Sequence, residues 1–150
     1  MFEYFKNMVA TQNKEQDNFQ KKLQVATCAL FFEIAKADEN FTREEHEKIV
    51  SIMKSKYELD NNGAGELMSL TEESIKKSVS IYEFATIVDQ SFSKDEKLEL
   101  MKELWQLIYT DKKLNKYEDN LIKRIGDILK LEHKEVIDAK LMVKGELGLE

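Results

Sequence analysis

Not one proline interrupts the 150 residues of this chain, and glycine occurs only five times. Proline removes a backbone donor and clashes with the preceding turn, so its absence leaves helical ladders unbroken from end to end. Lys, Glu and Leu fill much of the remainder, with apolar residues recurring three and four positions apart. The expected fold is all-α: a compact, single-domain bundle of about seven to eight helices. A chain of this size buries roughly 68–70% of its unfolded surface, enough for a core without disulfides.

The chain divides at its capping signals. Phe2, Phe5 and Val9 form one face of a short amphipathic segment over residues 1–14, which is expected to dock on its own domain. The helical domain proper is placed at 15–144 and a tail at 145–150, whose final Leu149-Glu150 resembles a tag remnant. The first domain helix is expected from about Glu15 to Ala37, with Phe19, Leu23, Ala26, Leu30 and Ile34 facing inward. Thr42 and Glu45 form a capping box for a second helix ending near Leu59. Asp60-Asn61-Asn62-Gly63-Ala64-Gly65 reads as the clearest helix breaker. A short helix around Glu66 to Ser69 and another after Thr71 follow, or one kinked helix in their place, carrying the chain into Tyr82 and Phe84. Ser93 and Glu96 form a second capping box, and His133 begins the last helix, with Val136, Ile137, Leu141 and Val143 as its apolar side.

Two turns repeat each other. At a shift of 73 positions, which takes Asp38 to Asp111, Phe31 meets Leu104, Phe32 meets Trp105, Ile49 meets Ile122 and Glu45 meets Glu118. Any two amphipathic helices can be slid into apolar agreement, so the matched Asp and Glu, seven residues apart in both copies, are what discriminate. The pattern predicts an internally duplicated helix-turn-helix within one closed domain.

Asp38, Glu45, Asp111 and Glu118 are therefore the candidate site residues. Asp38 and Asp111 fall near helix C-termini, where the macrodipole disfavours negative charge by about 0.3–1 kcal/mol. A bound cation would compensate; so would a turn hydrogen bond or a lysine across the bundle. Glu45 and Glu118 have capping roles in either case. An oxygen-only donor set favours Ca²⁺ or Mg²⁺ over zinc. The first turn is not an EF-hand, because its sixth position is Arg43 and its twelfth Ile49.

Other chemistries find little support. A net charge of −6 argues against general affinity for nucleic acid, and the Lys76-Lys77, Lys112-Lys113 and Lys123-Arg124 pairs read as solvated faces. No run of 18 apolar residues exists to span a membrane. Cys28, alone among Val25, Ala26, Ala29 and Leu30, reads as core packing in a reducing, cytoplasmic setting. His46 and His133 lie on different helices without thiol partners, and His46 is expected to face solvent. The Asn-Gly segment at 60–65 lacks the spacing and lysine of a phosphate loop. No catalytic constellation emerges, so the expected activity is non-enzymatic and no organic cofactor is expected.

The segments ALFFEIAKADENFTREEHEKI (29–49), YEFATIVDQSFSKDEKLELMKELWQLIYTDKKLNKYEDNLIKRI (82–125) and LKLEHKEVIDAKLM (129–142) together resemble the TerB-like family, named for the tellurite-resistance protein TerB. The resemblance spans roughly Phe19 to Val143 and is closest to stand-alone bacterial members of unassigned function. It implies a compact helical domain, a cytoplasmic location, and a role in stress response with acidic residues holding a divalent metal. Members usually carry Asp-Gly at the turn, where this chain has Asp38-Glu39 and Asp111-Lys112. No His-Pro-Asp tripeptide is present for co-chaperone recruitment.

Two functions remain open: a cation-responsive stress domain, and a metal-independent protein-protein interaction module. The expected partner is a protein, membrane-associated or not, bound by a monomer or weak dimer, with no nucleic acid and no direct membrane span.

Overall fold

The computed structural model describes the backbone of residues 2–37, 41–77, 80–111 and 116–149, and the side chains of 15–37, 41–77, 80–110 and 118–149. Among these the structure is all helical, as expected: α1 (Phe2–Lys36), α2 (Arg43–Tyr57), α3 (Asn61–Lys77), α4 (Ile81–Ser91), α5 (Lys94–Ile108), a 3-10 turn (Tyr109–Asp111), α6 (Lys116–Ile128) and α7 (His133–Glu146). No helix among the described residues is long and apolar enough to cross a membrane.

The second half of α1 is the axle of the bundle. Every residue from Ala26 to Phe32 is buried, together with Ile34 and Ala35, and α2, α3, α4, α5 and α6 all pack against this helix. A helix that is apolar nearly all round must be enclosed on all sides. Both capping boxes form as expected: Thr42 Oγ1 accepts from Glu45 N–H at 3.1 Å and Ser93 Oγ from Glu96 N–H at 3.2 Å, with each glutamate reaching back to its cap. The indole of Trp105 on α5 donates to the Val136 carbonyl on α7 at 3.1 Å, tying these two helices inside the core.

The structure corrects several expectations. The first helix does not begin near Glu15; α1 continues back to Phe2 without a break. The side chains of Phe2, Phe5 and Val9 lie outside the described residues. Gly63 and Gly65 do not break a helix but sit in the opening turns of α3. Asp60 precedes them as a cap, its carboxylate accepting from Gly63 N–H at 2.7 Å and its carbonyl from Ala64 N–H at 2.9 Å. Helix α2 instead ends through Glu58, held in the left-handed region at φ 53°.

Nor is there a break near Thr71. Its hydroxyl donates to the Leu67 carbonyl at 2.7 Å, satisfying the polar group inside a continuous α3. On α7, Val136, Ala139 and Val143 are the buried face, whereas Leu141 is 57% exposed. Ile137 and Leu141 share a different side of the helix, which the apolar pattern had merged with the core side. Phe19 and Tyr82 are exposed as well. Leu149 packs against the core after its N–H donates to Lys144 O at 2.8 Å, with Gly148 left-handed before it, which closes α7.

Candidate functional site

The repeat is visible in the burial pattern. Phe31, Phe32, Ile34 and Ala35 of α1, and their counterparts Leu104, Trp105, Leu107 and Ile108 of α5, are all buried. So are Ile49 and Ile52 of α2 and their counterparts Ile122 and Ile125 of α6. The two units are therefore α1–α2 and α5–α6, with α3 and α4 between them in the chain.

Glu45 and Glu118 are each the third residue of their helix, and each is only 2% exposed. Among the described residues they are the only charged side chains that are buried. The Glu45 carboxylate accepts from the Thr42 N–H at 3.1 Å and from the Thr42 hydroxyl at 3.0 Å. Phe41 roofs this corner, meeting Phe32 edge-on at 5.5 Å, while His46 lies exposed with its ring 6.0 Å from Phe41. Both glutamates also sit where the positive end of the helix dipole favours an anion.

Trp105 and Tyr109 stack at 6.0 Å, and burial followed by the nearby Asp119 charge pushes the Tyr109 hydroxyl pKa up. Asp119 itself pairs with Lys123 at 2.9 Å. Helix α2 of the first unit packs against the 3-10 turn of the second, so the units touch where the second turn begins. Asp38, Asn115 and the side chain of Asp111 lie outside the described residues. Among the described residues no three His, Cys, Asp or Glu side chains converge as metal ligands.

One acidic residue near the first turn escaped sequence reasoning. Glu33, half-buried on α1, has its carboxyl pKa raised by desolvation, against the opposing pull of Lys36. Between α2 and α5, Lys56 Nζ stands 2.7 Å from Glu103 Oε1 with both side chains largely enclosed. Burial raises the Glu103 carboxyl pKa, against the opposing pull of Lys56. Cys28 is fully buried and its thiol is pushed up to about 12 by desolvation, so it stays protonated as core packing.

An all-α domain in which two helix-turn-helix units each enclose one carboxylate at a helix start is the class that this arrangement defines. The chain belongs to the TerB family: the family model described as tellurite resistance protein TerB matches residues 24–141, from the point where α1 enters the core to the middle of α7. Comparison with curated proteins and with solved structures gives no significant match.

Proposed function

We propose that this protein is a non-enzymatic, cytoplasmic TerB-type domain that acts in a stress response by binding a divalent cation, Ca²⁺ or Mg²⁺, through Asp38, Glu45, Asp111 and Glu118. The observation that carries this reading is that, among the described residues, the two repeat-matched glutamates are the buried charged side chains, enclosed at equivalent helix starts. Hydrogen bonds already hold the Glu45 carboxylate in place at its cap, and a hard cation, which prefers all-oxygen ligation, would meet a carboxylate fixed in position. Asp38 and Asp111 would complete the donor set from the turns, and the cation would couple turn to helix. Thermal unfolding in EDTA, then in millimolar Ca²⁺ or Mg²⁺, tests the proposal. At a hundred times Kd a cation adds about 2.7 kcal/mol, or a rise of roughly 5–10 °C for a domain of this size. An unchanged midpoint with both ions refutes it.

A second reading, a metal-independent protein-interaction module, draws support from the end of α7. Leu141 and Met142 are 57% and 54% exposed, with Leu147 beyond them exposed too. Exposed apolar side chains in close sequence favour a protein contact. That reading predicts that Leu141→Glu with Met142→Glu abolishes partner binding while leaving any cation response intact.

A further inference from the structure

We propose that the groove between α1, α3 and α4 binds a single-chain anionic amphiphile, a free fatty acid in chemical class. The groove has a volume of about 540 Å³, within the roughly 300–1,000 Å³ of small-molecule sites. Its apolar lining comes from three helices: Val25 and Ala26 of α1, Leu70 of α3, and Phe84 and Ile87 of α4. An alkyl chain lying on these side chains gains about 0.8 kcal/mol for each methylene it buries.

The polar lining is charged unevenly. Lys21, Lys22 and Lys77 face one carboxylate, Glu83, with Asn18 and Ser74 uncharged between them. Lys21 is engaged by Glu66 at 2.7 Å. Lys22 and Lys77 have no carboxylate partner among the described residues. In a chain of net charge −6, a cationic rim over an apolar floor selects an anionic head on a hydrocarbon tail. Lysine serves such a head well, because its ammonium reaches over apolar surface on a flexible stem.

The experiment is calorimetric titration of the full chain with laurate below its micellar concentration, with dodecyltrimethylammonium as a cation of equal chain length. The expected result is one-to-one laurate binding and no heat from the cationic amphiphile. Lys22→Glu with Lys77→Glu, both exposed positions, should weaken laurate at least tenfold, while Arg124→Glu with Lys134→Glu, exposed on α6 and α7, should not. Methyl resonances of Val25, Leu70 and Ile87 should shift on laurate addition in the unaltered protein. Equal binding of both amphiphiles, indifference to the Lys22 and Lys77 changes, or shifts confined to Leu141 and Leu147 would each overturn the proposal. Binding of an acidic amphipathic peptide where laurate gives no heat would overturn it in favour of a protein ligand.

Discussion

Asp89 shows how much a single carboxylate can hold in this bundle. It sits on α4 and receives Lys97 of α5 at 2.6 Å and Lys130 at 3.3 Å, with side chains of Asp89 and Lys97 only 11% and 13% exposed. The Lys97 hydrogen bond, against the opposing effect of burial, holds its carboxyl pKa below the ordinary 3.8. A carboxyl group with a depressed folded pKa contributes stability at pH values above 3.8, and that contribution is lost as pH falls through the folded value. Asp89→Asn should therefore lower stability by roughly 1.5–3 kcal/mol at neutral pH. In urea unfolding, the gap between the two proteins should close as pH drops below 3.8. A gap of constant size would assign the effect to shape instead of charge. None of this was legible in the sequence, where Asp89, Lys97 and Lys130 carry no shared motif. The burial of Glu45 and Glu118 was equally hidden, because it depends on which face of each unit turns inward.

At the scale of elements, helix starts were far more legible than helix ends. Thr42 and Ser93 advertise their boxes through a glutamate three residues on, a local signal that survives any tertiary arrangement. The ends use side-chain-bearing residues in left-handed geometry, Glu58 at φ 53° and Lys130 at φ 61°, where glycine would have been the recognisable sign. Gly63 and Gly65, the visible glycines, lie inside a helix instead. Glu58→Gly should raise stability by about 1 kcal/mol by relieving that strain, seen as a midpoint increase of roughly 2–4 °C; a decrease would show that Glu58 makes a contact that outweighs it.

The α6–α7 crossing depends on Gly126. A β-carbon there would stand 2.7 Å from Val136 Cγ2, so Gly126→Ala should cost about 1–3 kcal/mol through overpacking. Val136→Ala in the same chain should restore part of the loss, a coupling readable from a double-mutant cycle. Additive losses would mean that the helices separate without local strain.

For the whole molecule, the all-α class and the two-unit repeat could be read from the absence of proline and the 73-residue shift. The arrangement of the units could not, since a duplication leaves open whether equivalent turns lie together or apart. The contact between α2 and the 3-10 turn shows only that the two units touch where the second turn begins. The apolar side of α7 was misassigned for a separate reason: its buried face packs on Trp105 and Gly126 of α5 and α6, and periodicity alone cannot choose among two adjacent apolar faces.

Under the proposed function, Glu45 serves a cation as well as its helix cap, and Glu118 serves the same cation from the equivalent place on α6. Glutamine can replace glutamate in a capping box, but it brings no charge to a cation. The deciding measurement is calorimetric titration of Ca²⁺ and Mg²⁺ into EDTA-stripped protein and into its Glu45→Gln, Glu118→Gln, Asp38→Asn and Asp111→Asn variants. Saturable binding of one ion by the unaltered protein is expected, with a loss of at least tenfold in affinity in each variant and Glu45→Gln still folded. Absence of binding heat from both ions, or affinities unchanged in all four variants, would contradict the proposed function and leave the acidic turns as structural caps.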